Sequence, residues 1–332
     1  MATKGYNSYR GRGNVKKIIA AIALTLVILG AVGYLVVQNY IVYDNAGQAH
    51  LQLLNREKTD TALPEDEVNI EFVEPPEKWL PVSELHAQQL ADGALKFDPA
   101  AVLKTAGEAM LIDVKRSNGG ITYTTDVEVP AEVYVEKFDT MANLKTLLDD
   151  ERYTVAHMYT LCDSYFVRAY HDAAFLLESG SFWYDGDGWT WLDPTNPEVL
   201  GYVMDLCKEY AELGFDEILL DDFSYPMNGR IESIAIEEDL DKTAVLQSFA
   251  ESLRNGLPED VVLSIVIRSD SPEEIGLSAE MIADCFDRVY IAPGVDAAAL
   301  LRELPEEYDR NTRVVQMAYQ KPQSGSYVLL TQ

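Results

Sequence analysis

Gly214-Phe215-Asp216-Glu217-Ile218-Leu219-Leu220-Asp221-Asp222-Phe223-Ser224-Tyr225-Pro226 is the stretch on which the fold turns. Its glycine stands just past the helical pattern Pro197–Leu213, where a residue free to take positive φ ends a helix. Ile218-Leu219-Leu220 is then apolar on both strand faces, the pattern of a strand covered on both sides in a parallel sheet. The run closes on two acids.

The same alternation recurs on either side. Met110-Leu111-Ile112-Asp113-Val114 and Thr154-Val155-Ala156-His157-Met158-Tyr159 precede it. Val261–Ile267, Arg288–Ala292 and Arg313–Ala318 follow. A second helical pattern, Asp241 to Asn255, meets its own glycine at Gly256. With Trp79-Leu80-Pro81-Val82 as first strand and Tyr327-Val328-Leu329-Leu330 as eighth, the count closes a ring. About 250 residues from Trp79 to Gln332 are the usual size of such a domain. The expected fold class is therefore α/β, a (β/α)8 TIM-like barrel over residues 77–332. An open doubly wound sheet shares the alternation, but no Gly-rich phosphate loop follows an early strand.

Ahead of the barrel, Ile18 to Tyr43 carries no charge, and Ile18 to Val37 alone supplies twenty almost wholly apolar residues, enough to cross a bilayer. Lys4, Arg10, Arg12, Lys16 and Lys17 precede it, so the positive-inside bias puts residues 1–17 in the cytoplasm as a basic tail. The expectation is a transmembrane signal-anchor helix over 18–43, a stalk or linker over 44–76, and the bulk of the chain outside the cytoplasm at the cell membrane. A cleavable signal peptide ending near Ala31-Val32-Gly33 is the competing reading.

The chain has 55 acids against 26 bases, a formal charge of −29, and five of those bases lie before the span. So acidic a surface repels nucleic acid and excludes it as a partner. Cys162, Cys207 and Cys285 are widely spaced, with no C-x-x-C pair and no histidines at ligand spacing, so neither a zinc site nor any other cofactor is expected; buried thiols are. Asp185-Gly186-Asp187-Gly188 lacks the remaining ligands of a calcium loop.

In a parallel barrel the reacting groups stand at the C-terminal strand ends. Asp113 and Lys115 share a face there and are candidates for a pair in the mouth. Asp163 follows the third strand, as ligand-binding group or helix cap. Asp221 and Asp222 close the fourth, and alternation lets only one point inward. Between strands three and four, Trp183, Trp189 and Trp191 fall within nine residues. Flat aromatic surfaces with polar flanks suit sugar rings. Asp270, after Arg268 at the end of the fifth strand, is a further carboxylate.

These motifs resemble the bacterial family known as putative glycosyl hydrolase domain, a barrel related in outline to amylase-type enzymes. The resemblance runs through Ile112-Asp113-Val114-Lys115 with Gly119-Gly120, Ala156 to Asp163, Trp191-Leu192-Asp193-Pro194 with Val199 and Tyr202, and Gly214-Phe215-Asp216-Glu217-Ile218 to Asp221 and Pro226. Gln316 on strand seven also fits. It implies a carbohydrate-cleaving or carbohydrate-binding barrel with Asp113 and Asp221 in the mouth, Asp221 being favoured over Asp222. The chain departs from the family at His157 and Ser224, where arginines are usual, at Cys162, where lysine is, and at Val266, where an acid is.

The resulting expectation is a membrane-anchored glycoside hydrolase acting on cell-envelope or environmental glycan. Asp221 serves as nucleophile or acid, with Asp113 or Asp270 as partner; Lys115, Asp163, the three tryptophans, Asp222 and Gln316 bind substrate. The alternatives are a catalytically silent barrel that binds glycan or an envelope protein, and a membrane-tethered scaffold without a small ligand.

Overall fold

The computed structural model describes residues 41–43, 49–51, 83–138, 140–306 and 308–331. From residue 83 onward the chain builds a closed barrel of eight parallel strands: β1 (His86–Gln89), β2 (Ala109–Lys115), β3 (Tyr153–Tyr159), β4 (Glu217–Asp221), β5 (Val262–Ile267), β6 (Arg288–Ile291), β7 (Val314–Ala318) and β8 (Ser326–Leu329). β8 pairs with both β7 and β1, which closes the ring and excludes the open sheet.

Most strands lie where the apolar runs place them. The first does not: it is His86–Gln89, a half-polar strand, while Trp79–Val82 lies outside the described residues. Only Ala87 and Gln89 of β1 share an alternating face with the core residue Leu85, so there is no continuous apolar run to find.

Helices α1 (Pro99–Thr105), α2 (Met141–Leu148), α3 (Phe166–Ala169), α4 (Pro197–Leu213), α5 (Lys242–Gly256), α6 (Ala279–Cys285), α7 (Ala298–Glu303) and α8 (Arg310–Arg313) make up the outer layer. Asn196 and Asp241 cap the two longest, accepting from Glu198 N–H and Ala244 N–H. Gly214 ends α4 at φ 95°, the left-handed stop the sequence predicts. Gly256 behaves differently, because it lies inside α5. A Cβ there would stand 2.5 Å from Met204 Sδ on α4, so this glycine lets two helices approach rather than stopping one.

Inside the ring, Leu85, Ala87, Ala109, Leu111, Val155, Leu219, Val266, Tyr290, Val315, Met317 and Val328 fill the axis. Below this apolar layer, toward the N-terminal strand ends, Glu217 binds Arg288 at 2.6 Å, Tyr290 at 2.7 Å, Tyr153 at 3.0 Å and Ser264 at 2.6 Å, with the carboxylate wholly buried. Above it, Asp113, His157 and Asp221 continue the inward faces of β2, β3 and β4 into the mouth. All three cysteines are buried, as expected of small apolar side chains.

Residues 1–40 and most of 44–76 lie outside the described residues, and with them the basic tail, most of the predicted span and most of the stalk. The last three residues of that span, Ile41–Tyr43, are strand rather than helix, paired antiparallel with Ala49–Leu51. Among the described residues no helix is long and apolar enough to cross a membrane.

Candidate active site at the C-terminal mouth

The register of three strands assembles the centre of the mouth. Asp113 on β2 lies opposite His157 on β3, and Tyr159 on β3 lies opposite Asp221 on β4. His157 donates from Nδ1 to Asp113 Oδ1 at 2.6 Å and from Nε2 to Asp221 Oδ2 at 2.8 Å. Arg268, one residue past β5, grips Asp221 with both prongs, Nε to Oδ1 and Nη2 to Oδ2, each at 2.5 Å. Gln89 on β1 donates to Asp113 at 3.0 Å, and Arg268 Nη2 donates to Tyr159 Oη at 3.3 Å.

Charge and burial then separate the acids. Burial pulls the His157 imidazole down, but the hydrogen bonds and charges of Asp113 and Asp221 outweigh it and push it up to about 9. Burial opposes ionisation of Asp221 too, yet Arg268 and His157 hold its carboxyl well below the usual carboxylate range. For Asp222, burial and the neighbouring Asp221 charge act together and raise its carboxyl to about 7 against the pull of Arg268 and His157. Two adjacent aspartates thus differ: one is a permanent anion and the other titrates near neutrality.

Backbone geometry separates them as well. Asp222 has φ 48°, the left-handed region, and is the one residue other than glycine in it among those described. The chain swings out of β4 there, so Asp221 points down the axis while Asp222 lines a cavity of about 240 Å³. Tyr159, Cys162, Asp185, Asp187, Trp189, Trp191, Asn228 and Arg268 also form its walls. Asp185 accepts from Asp187 N–H, Trp189 N–H and Trp191 Nε1–H, which fixes the tryptophan loop over the mouth. Asp187 accepts from Asn228 Nδ2 at 2.9 Å.

Several predicted residues have other employment. Asp113 and Lys115 do not pair, because the register shifts between them and carries Lys115 away. Lys115, wholly buried, binds Asp163 at 3.0 Å and the Tyr159 carbonyl at 2.7 Å. Asp163 is equally buried and accepts from Tyr165 and Phe166 N–H at 2.8 Å each, which ties down the chain as it enters α3. Gly119 belongs to the same knot: a Cβ there would stand 2.0 Å from the Asp163 carboxylate.

Trp183 is buried with its Nε1 on the Arg230 carbonyl, so it anchors its loop, while Trp189 (38% exposed) and Trp191 face the cavity. Gln316 is exposed on the outer face of β7, opposite in phase to Val315 and Met317, and cannot reach the mouth. Asp270 is exposed, accepts from Asp296 N–H, and is not among the cavity-lining residues.

Arg268 and Asp187 were not predicted site residues, and His157 entered only as a departure from the family pattern. The sequence held one signal for each of two: a histidine in an otherwise apolar strand, and an arginine closing another.

Residues 80–299 match the profile of a family described as "Putative glycosyl hydrolase domain". No curated protein matches the chain. Among solved structures the chain is similar to a hypothetical protein from Ruminiclostridium thermocellum, at 25% identity over 54% of this chain and 96% of that one, with a TM-score of 0.45. It is also similar to an α-galactosidase from Thermus thermophilus in complex with p-nitrophenyl α-D-galactopyranoside, at 13% identity over 63% and 42%, with a TM-score of 0.41. A third is the glycoside hydrolase domain of PelA from Pseudomonas aeruginosa, at 14% identity over 72% and 85%, with a TM-score of 0.41.

Proposed function

The chain belongs to the family described as putative glycosyl hydrolase domain, and from that premise we propose that it hydrolyses O-glycosidic bonds of cell-envelope or environmental glycan, held at the outer face of a membrane by its N-terminal apolar segment. The observation that carries the catalytic reading is Asp222: a carboxyl raised to about 7, lining a cavity whose wall includes the exposed Trp189. An acid that keeps its proton near neutrality can give it to a leaving-group oxygen, and an indole face suits the C–H face of a sugar ring.

Asp222 is then the proton donor to the glycosidic oxygen as the C–O bond breaks. Asp187, with one carboxylate oxygen on Asn228, has capacity to take a proton from the attacking water, whereas Asp185 is spent on three N–H donors. The two residues line one cavity and give it the acid and the base that glycoside hydrolysis uses. Asp113 and Asp221 are joined through one imidazole ring, and their oxygens serve His157, Gln89 on Asp113 and Arg268 on Asp221.

The clamp on Asp221 favours one second reading, a barrel that binds glycan without cleaving it. Incubating the full chain with a panel of neutral, acidic and amino-sugar glycans separates the two. Release of reducing ends that disappears in Asp222→Asn supports the hydrolase; binding by both proteins without release by either supports the binder. Protease accessibility of the barrel in intact cells, set against a chain lacking residues 1–43, tests the anchoring.

A further inference from the structure

Charged and titratable groups face Asp222 from every wall of the mouth. His157 and Tyr159 come from β3, Cys162, Asp185 and Asp187 from the connection that follows, Asp221 from its own strand, and Arg268 from the end of β5. We infer that His157 and Arg268 are positioning residues that fix Asp221 as a buried, non-reacting anion, and that this anion keeps the proton on Asp222, the neighbouring carboxyl that faces the cavity.

The geometry leaves Asp221 nothing to react with. Arg268 takes one bond on each oxygen, His157 takes a second on Oδ2, and the backbone N–H of Asp222 takes a second on Oδ1 at 2.8 Å. Its side chain is wholly buried. Four donors saturate the lone pairs that an attack on a sugar carbon would need.

Asp222 is in the opposite position. Its nearest cation, Arg268 Nε, stands 3.6 Å from Oδ1, beyond hydrogen-bond distance and already committed to Asp221. Where two carboxyls adjoin and one holds every donor, the charge settles on that one and the proton on the other.

The division of labour rests on reading the cavity as the reaction site, but it is measurable without substrate. Infrared difference spectra of the full chain follow the C=O stretch of a protonated buried carboxyl against pH, and its loss in Asp222→Asn identifies the band. The wild-type midpoint is expected at about 7. Asp221→Asn removes the anion and is expected to lower that midpoint by about one pH unit or more, a tenfold loss in the ratio of protonated to ionised Asp222. His157→Gln and Arg268→Gln each remove a cation and are expected to raise it.

Opposite shifts from members of one network are not what general loosening produces. The wild-type protein supplies a second readout that needs no variant to fold: the His157 imidazole followed by NMR, expected to keep both N–H protons up to about pH 9. An Asp222 midpoint unmoved by Asp221→Asn, or a His157 that loses its proton below pH 7, overturns the inference. Absent turnover with these titrations as expected removes the proposed function alone. Turnover lost in Asp222→Asn, alongside either contrary titration, removes this inference alone.

Discussion

Strand β4 carries two buried carboxylates toward the barrel axis, Glu217 at one end and Asp221 at the other, and each meets an arginine. At the Glu217 end the arginine is Arg288, only 3% exposed, and Tyr153, Tyr290 and Ser264 add hydrogen bonds from the surrounding strands. At the Asp221 end the arginine is Arg268, 31% exposed, and a second acid stands beside it at a cavity. The lower network is closed and electrically balanced, which makes it a plug. The upper one holds a surplus carboxyl with access to solvent, which makes it a site. The ion pair is common to both; the unmatched group beside it differs.

The widest test of that contrast is Asp222→Asn. Removing the surplus proton is expected to cut glycan turnover by about 10²–10⁴-fold, measured as reducing-end release. Turnover within threefold of wild type would place the chemistry elsewhere. At the other end, Glu217→Ala leaves Arg288 buried without its counter-charge and is expected to cost about 3–5 kcal/mol in denaturant unfolding. The same substitution is expected to leave the Asp222 titration where it was; a shift there would couple the two networks.

The pH dependence of stability sharpens the comparison further. His157 has a folded pKa of about 9, above its ordinary 6.5, so its contribution is fully present below pH 6.5 and is lost as pH rises through 9. Asp222, raised to about 7 from 3.8, binds its proton more tightly when folded, so it too makes stability fall as pH rises between those values. Asp222→Asn is therefore expected to unfold at higher denaturant than wild type above pH 7, and His157→Gln to flatten the decline between pH 6.5 and 9. The smallest effect is at the rim. Trp189→Ala is expected to weaken glycan binding by about 1 kcal/mol, roughly fivefold by titration calorimetry, with little change in unfolding.

The barrel was legible because parallel strands covered on both faces must be largely apolar, and β2 to β6 carry that signature whatever they do in the mouth, while β7 departs from it only at the exposed Gln316. β1 lacks it and was placed too early. Family resemblance through Asp113, Trp191 and Gly214–Asp221 is borne out by the profile match. The roles within the site were less accessible. Strand alternation identifies Asp221 and Asp222 as opposites, but which one meets solvent depends on a single left-handed residue. Nor does spacing along β2 reveal the register shift that sends Lys115 to Asp163 instead of Asp113. The resemblance implies Gln316 in the mouth, but β7 turns Val315 and Met317 inward and Gln316 outward, a phase that a family match at one residue does not fix.

The left-handed turn at Asp222 has one more consequence, for how this position tolerates change. Asparagine and glycine enter that backbone region readily, whereas β-branched residues do so at a penalty. A saturation library at codon 222 should therefore be sorted by two independent filters. Yield of folded protein would rank Gly, Asn and Asp above Val, Ile and Thr, and turnover would then select Asp from the first group. Shape and proton inventory, joined in one residue, would be read out on separate axes.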